Sequence, residues 1–340
     1  MKLLFIGGTG NISSSCSQLA LEQGHELWLM HRPGRPGIPG AHDICCDINN
    51  DDESAIAQKL RGHHFEVVVQ FIAFTPAQIE RDLRLFKGKC DQYIFLSSAS
   101  AYAKPTSYTP TTERTPLENP LWQYSRDKIA AEKYLEEQAK GQEGMTYTIV
   151  RPSHTYDSVI LIPIGGWTHF TAVDRMRRGL PVIVPGDGTT LWTITHAEDF
   201  AQGLLGLFRN TKAINEDFQI TSDEALTWNE IYRLTAEAAG VPNPKLVHIA
   251  SELLIAWNPD WEGTLLGDKS HTALFDNTKL KQAVPTFAPK IRFAEGVKRT
   301  MAWFDADPSR KNLPVDGDAT IEKILTEYAK AWPEGKFDLS

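Results

Sequence analysis

Apolar positions fall into two rhythms along the chain. Up to about residue 151, short runs of consecutive apolar residues recur at 2–6, 26–31, 43–46, 66–71, 92–97 and 146–151. Each is the length of one strand and rich in Val, Ile, Leu or Phe. The lack of alternation predicts strands covered on both faces. Longer stretches with helical spacing separate them at 11–23, 51–60, 76–86 and 120–139. Strand and helix in turn predict an α/β fold, a doubly wound parallel sheet with helices on both faces.

Beyond residue 151 the rhythm changes. Residues 152–185 are rich in Gly, Pro and aromatics, and 186–190 read as a loop. A short strand is expected at 192–195, a helix at 196–208, a strand at 218–221 and an amphipathic helix at 228–239. Residues 263–267 read as a loop, 293–304 as a helix and 320–332 as a closing helix. This pattern predicts a first domain over 1–157, with elements near 191–222 returning to it. Residues 158–340 then form a smaller, mixed C-terminal part.

The bulk properties narrow the possibilities. The chain has 340 residues, 41% of them hydrophobic, enough for one large unit or two smaller ones. A net charge of −8 opposes general nucleic-acid binding, which needs a basic surface. No segment approaches ~18 uninterrupted apolar residues, so no membrane span is expected. The apolar run at the N-terminus is too short for a secretory signal and ends at Gly7-Gly8. The four cysteines, Cys16, Cys45, Cys46 and Cys90, show no zinc spacing, and the adjacent pair is badly placed for a mutual disulfide. Reduced thiols, a cytoplasmic location and no metal are the expectation.

Two motifs carry candidate chemistry. Gly7-Gly8-Thr9-Gly10-Asn11-Ile12-Ser13 follows the first strand and opens the first helix. Phosphate binding needs a tight turn, close backbone approach and a helix N-terminus aimed at the anion. The glycines supply the first two, and Ser13 is small enough to keep the helix close to the strand. The loop therefore reads as a pyrophosphate cradle for a dinucleotide. After the second strand, where an acid commonly holds the adenosine ribose, the chain reads Met30-His31-Arg32-Pro33-Gly34-Arg35. An arginine there can hold a 2′-phosphate by charge-assisted hydrogen bonds, which favours NADP, with NAD as the alternative.

The second motif is Tyr124-Ser125-Arg126-Asp127-Lys128, which puts a phenol and an ammonium one helical turn apart on one face. A phenol with pKa ~10 is a poor base at neutral pH. A cation at ~4 Å contributes ~4 kcal/mol at an effective dielectric of ~20, enough to lower that value by a few units. Ser97-Ser98-Ala99-Ser100-Ala101-Tyr102 at the end of the fifth strand strengthens the reading.

Together these segments resemble the extended short-chain dehydrogenase/reductases, also called the NAD-dependent epimerase/dehydratase family, over residues 1 to about 240. The resemblance implies a Rossmann fold and a nicotinamide cofactor held by Gly7, Gly10, Asn11, Ile12, Arg32, Asp47, Ile48, Phe71, Ile72, Ala73 and Lys128. It implies that Tyr124 is the acid/base, Lys128 its partner and Ser98 the hydroxyl that binds the substrate oxygen. Ser100 is a second polar contact. Arg151-Pro152, Gly186-Asp187-Gly188 and His196-Ala197-Glu198-Asp199 match later landmarks of that family. The expected activity is an NAD(P)-dependent oxidoreductase or epimerase acting on a hydroxyl or carbonyl carbon. A homodimer is common in the resembled family.

The C-terminal half departs from the sugar-nucleotide pattern. His154 stands where an asparagine is usual, and Trp192 where an arginine grips diphosphate. Both are candidate substrate contacts, and a different or smaller substrate is expected. Trp167, Phe170 and Trp192 are candidates for an apolar pocket wall. His196, with His154, is a weaker catalytic candidate, and Glu198-Asp199 suits a helix start. Ala99-Ser100 replaces the acidic pair of the dehydratase branch, which disfavours water elimination. The alternative is a non-catalytic cofactor sensor or an RNA binder, because 151–199 is also similar to the chloroplast stem-loop RNA-binding proteins. The complete Ser98, Tyr124 and Lys128 set favours an enzyme, and the acidic charge disfavours RNA.

Overall fold

The computed structural model describes residues 1–139 and 144–333. The chain forms two compact units. The first gathers Met1–Thr155, Ala197–Asp223 and Phe275–Lys290, and the second holds Tyr156–His196, Glu224–Leu274 and the chain from Ile291 onward.

The first unit is built on seven parallel strands. Six are β1 (Lys2–Ile6), β2 (Glu26–His31), β3 (His42–Cys45), β4 (Phe65–Gln70), β5 (Cys90–Leu96) and β6 (Thr146–Pro152), and the seventh is Glu216–Ile220. Their order is Glu216–Ile220, β6, β5, β4, β1, β2, β3. The chain winds outward from β1 to β3 and then returns to β4 on the other side of β1. The strand order reverses there, where open sheets of this kind bind ligands at their carboxyl ends. The register keeps those ends level: Ile6 pairs with both Met30 and Gln70, Gln70 with Phe95, and Leu96 with Val150.

Alternate residues of each strand enter different cores. Leu3, Phe5, Val67, Val69 and Ile94 pack on one face, with Cys16 and Ala20 of α1 (Ser13–Glu22) and Phe200 and Leu204 of the helix Ala197–Gly206. Leu4, Ile6, Val68, Tyr93 and Phe95 pack on the other. There they meet Ile56 of α2 (Glu53–Lys59), Ile79 and Leu83 of α3 (Pro76–Phe86), and Ala131 and Leu135 of α4 (Gln123–Ala139). Both faces are covered, so both sets are apolar, which accounts for the unbroken runs.

β1, β2 and α3 have the bounds their patterns predict. α4 starts at Gln123 rather than 120, because Asn119 Oδ1 accepts from the N–H groups of Leu121 and Trp122 and turns the chain first. One expectation fails. Residues 263–267 are not a loop: Glu262–Thr264 is an α-helical turn that continues as a π-helical one, Leu265–Lys269. Leu265 is buried in the second unit's core with Ile183, Ile249 and Leu254, and that packing outweighs the helix cost of two glycines. In the same unit, Val182–Pro185 pairs in parallel with Leu246–Ile249, and Ala225–Thr227 runs antiparallel to Leu191–His196. Among the described residues, no helix is long and apolar enough to cross a membrane, and no group of three His, Cys, Asp or Glu side chains could hold a metal ion.

A buried ion cluster joins α4 to the sheet. Arg151 of β6 donates to Glu132 of α4 (Nε–Oε1 3.0 Å, Nη2–Oε2 2.6 Å), to Tyr102 Oη (3.2 Å) and to Asp217 Oδ2 (2.6 Å). Burial works against the Arg151 charge, but Glu132, Tyr102 and Asp217 hold its pKa well above the ordinary value. Removing the cation leaves buried carboxylates without their partner. Arg151→Met is expected to lower stability by about 3–5 kcal/mol in urea unfolding. A loss below about 1 kcal/mol would mean that the cluster does not hold α4.

Candidate active site

The glycine turn sits at the carboxyl end of β1. Gly7 has φ +83°, and a Cβ there would lie 2.5 Å from Ile72 Cγ2, so the position suits glycine on both counts. Ser13 takes over where the usual fingerprint has a third glycine. Its hydroxyl donates to Gly7 O (2.6 Å) and accepts from Gly10 N (2.8 Å), lacing the turn closed. Ser17 Oγ holds Gly8 O at 2.8 Å. The first turn of α1 has no acidic side chain, which leaves its dipole end suited to an anion.

A cleft opens beside this turn. Its walls include Gly7, Thr9 and Gly10, then Met30 and His31 at the end of β2 with Arg32 and Arg35 beyond it, then residues 46–50 after β3, and Ile72 and Phe74 after β4. His31 bridges the Asp43 carboxylate (Nε2–Oδ1 3.0 Å) and the Arg32 carbonyl (Nδ1–O 3.1 Å), fixing the backbone that carries Arg32. Asp47 accepts from the Asn50 amide (2.9 Å) and the Asn49 N–H (3.0 Å). These bonds, with Arg32 adding to them, hold its carboxyl below the usual range. Gly7, Gly10, Arg32, Asp47, Ile48 and Ile72 therefore share one cleft. The remaining predicted cofactor residues are not among those walls. Asn11 Nδ2 donates to Thr155 O, Ile12 precedes α1 and packs on the core, Phe71 lies edge-on to Phe5, and Ala73 is buried.

The catalytic candidates lie on α4 and just after β5. Lys128 is buried, and its Nζ donates to Ala73 O and Leu96 O, both at 2.7 Å. One bond reaches the loop after β4 and the other the strand that leads to Ser98. The amine lies over the rings of Phe74 (4.6 Å), Phe95 (4.9 Å) and Tyr124 (5.9 Å). The sequence reading counts Lys128 as a cation beside Tyr124. Burial instead lowers its pKa to about 7, opposed by nearby Glu132.

Tyr124 is half-buried between Phe74 (6.0 Å) and Trp122 (5.0 Å), and Phe74 joins it to the cleft. Ser98 caps the short turn Ala99–Ala101, and its hydroxyl is 2.9 Å from Ser100 Oγ. Ser125 Oγ donates to Ser100 Oγ at 2.7 Å, and Asn119 Nδ2 donates to Ser100 O at 3.1 Å. The buried Ser100 thus ties the Ser98 turn to the start of α4. Ser125 and Asn119 were not predicted; a small polar residue beside Tyr124 was their only sequence signal.

His154 is half-buried in the short strand His154–Tyr156. Asp199 accepts the Lys290 N–H on both oxygens at 3.1 Å, a more specific task than complementing a dipole. In the second unit, Trp192 is buried against Trp228 (5.2 Å) and Phe170 against Phe304 (5.0 Å), whereas Trp167 is exposed. His196 lies edge-on to Tyr156 at 5.1 Å.

The sequence profile of the NAD dependent epimerase/dehydratase family matches residues 3–221. The chloroplast stem-loop binding protein of 41 kDa b from Arabidopsis thaliana is 26% identical, over 73% of this chain and 65% of that protein, just under two thirds of its length. The 2′-dehydrokanamycin reductase of Streptomyces kanamyceticus is 25% identical over 72% of this chain and 68% of its own. Among solved structures, the UDP-glucose 4-epimerase of Thermotoga maritima with UDP-glucose superposes with a TM-score of 0.72. It is 22% identical and covers 90% of this chain and 99% of its own, a likeness of fold.

The buried amine gives a pH signature. Lys128 titrates near 10.5 when unfolded and near 7 when folded, so between these values the unfolded chain binds the extra proton. Stability relative to Lys128→Met, which lacks the amine, should rise with pH across this window by up to ~1.4 kcal/mol per unit. Urea unfolding of both proteins at about pH 6.5 and 9.5 should show the difference moving by roughly 3 kcal/mol in favour of wild type. A difference independent of pH would mean that the amine keeps its ordinary proton affinity.

Proposed function

The chain belongs to the NAD dependent epimerase/dehydratase family, and from that premise we propose that it is an NAD(P)-dependent oxidoreductase or epimerase with Tyr124 as its acid/base. One observation carries this reading. Lys128 bonds at once to Ala73 O, beside the cleft, and to Leu96 O, on the strand leading to Ser98, with Tyr124 one turn away on α4. The residues read as proton-transfer groups and those read as a dinucleotide cradle thus gather at the carboxyl ends of neighbouring central strands. The cradle suits the cofactor, since glycine at position 7 lets Ile72 close directly on the turn and the first turn of α1 carries no acidic side chain to repel an anion.

The glycine turn and α1 would hold the pyrophosphate, Asp47 and Ile48 the adenine side, and Lys128 the nicotinamide ribose. A nicotinamide held there would supply hydride to a substrate carbon or take it up. Tyr124 gives or takes the matching proton at the substrate oxygen. Ser98 donates a hydrogen bond to that oxygen and keeps it near the phenol. Lys128, when protonated, favours the phenolate and so tunes Tyr124 toward neutral pH. The substrate is a hydroxyl or carbonyl compound outside the standard sugar nucleotides, as His154 and Trp192 suggest. Arg32, with its backbone held by His31, and Arg35 favour NADP.

Reduced-nicotinamide absorbance should be followed over a panel of sugars, sugar nucleotides, ketones and alcohols, with product chromatography to catch silent epimerisation. Turnover of at least one compound is expected, reduced ~10²–10⁴-fold in Tyr124→Phe. Activity unchanged in that variant would overturn the assignment. Arg32→Ala should raise KM for NADPH about tenfold while sparing NADH, and a wild-type NADH preference unaffected by the change would end the NADP reading. Stem-loop RNA should not be retained in filter binding at physiological salt, since a chain of net charge −8 is poorly suited to neutralising phosphates. Tight retention there would favour the RNA-binding alternative.

A further inference from the structure

Helix α3 carries a carboxylate where its amphipathic pattern needs an apolar residue. Asp82 is wholly buried. Its Oδ2 accepts from Gln70 Nε2 (2.5 Å) and Tyr93 Oη (2.8 Å), and its Oδ1 accepts from Arg81 Nε (3.0 Å) and Nη2 (2.7 Å). Four donors on two oxygens use most of its accepting capacity. Two of these partners lead on to the cleft. Gln70 Oε1 accepts the Ile72 N–H at 2.9 Å, in the loop after β4. Arg81 Nη1 donates to Ile48 O (2.5 Å) and Asn49 Oδ1 (3.0 Å), in the loop after β3. Ile48, Asn49 and Ile72 all line the cleft, and Ile72 also abuts Gly7.

For stability alone, an apolar side chain would serve as well as a buried ion pair. The polar network instead fixes backbone groups of both loops against each other, beside a second tie in which Gln78 takes the Phe74 N–H (2.6 Å) and donates to Asn49 Oδ1 (2.9 Å). We propose that Gln70, Asp82 and Arg81 form one positioning unit that sets the two loops at the spacing a dinucleotide requires. Cofactor affinity then depends on side chains that need not touch the cofactor. This inference rests on the reading that the cleft holds a nicotinamide dinucleotide.

A double-mutant cycle on cofactor binding tests it. The full chain, Gln70→Leu, Arg81→Met and the double variant are titrated with NADPH and NADH by calorimetry, at a temperature where circular dichroism shows each folded. Arg84→Ala is the control: it lies on the same helix, with its guanidinium on exposed Glu53 and Glu80. Each single change is expected to weaken binding about tenfold. If the residues act as one unit, the double variant weakens it no further than the larger single change, and Arg84→Ala binds as wild type. Should Gln70→Leu fail to fold, Asp82→Asn replaces it in the cycle, keeping the shape while setting a donor against the donors of Gln70 or Arg81. Cofactor KM should rise in the single variants with kcat spared at saturating cofactor, a split that general destabilisation would not give. Single variants that bind like wild type, or effects that multiply in the double, would overturn the unit. Wild type binding neither nucleotide would refute the reading of the cleft itself, and this inference with it.

Discussion

The site depends on one buried amine. An ammonium taken out of water is costly unless its protons find acceptors. Lys128 finds two backbone carbonyls, Ala73 O and Leu96 O, and the faces of Phe74 and Phe95. Both carbonyls lie just past or at the ends of neighbouring parallel strands, β4 and β5, which pair Gln70 with Phe95. A slip of one residue would turn a carbonyl away from Nζ. The sheet register and the lysine therefore specify each other. The same register places Ile72 against Gly7, linking the amine to the glycine turn through the loop it anchors.

Other interactions in the first unit hold that arrangement. α4 is secured at its start by Ser125 and Asn119 on Ser100, and further along by Glu132 on Arg151. Tyr124 and Lys128 lie between these anchors, so the helix has little freedom to rotate about its axis. The serine turn is joined to the same helix by hydroxyl bonds, which keeps Ser98 in a fixed relation to α4. The rigidity comes from buried polar groups with satisfied partners, and such networks specify a unique geometry more than they add stability. The Lys128 charge is different in kind. Burial brings its pKa to about 7, so its charge is divided near neutrality.

The legible features were those encoded locally. Unbroken apolar runs gave β1 and β2 their bounds because both faces of the sheet are covered. Helical spacing from Pro76 gave α3 its start, where the structure adds a capping box closed by Gln78. The glycine turn could be read because a left-handed turn packed against a neighbour needs glycine, and the Tyr124–Lys128 juxtaposition because four residues make about one helical turn. What stayed hidden depended on distant partners. Asp82 reads as a solvated helix charge until Gln70, Tyr93 and Arg81 are seen around it. The strand Val182–Pro185 is four residues long, and its partner Leu246–Ile249 lies far along the chain. Helix through Gly263 and Gly267 follows from the burial of Leu265, which no local propensity reveals. A tryptophan at 192 fits a pocket wall or a core equally well in sequence, and the structure packs it against Trp228.

The most direct measurement of the account is the proton affinity of the Lys128 amine itself. Heteronuclear NMR of lysine-labelled protein without nucleotide, with Lys128→Met to assign the resonance, would follow its titration. The account predicts a midpoint near 7. A midpoint near the ordinary 10.5 would mean that its hydrogen-bond acceptors and Glu132 offset the cost of burial in full, and would contradict an amine whose charge is divided near neutrality.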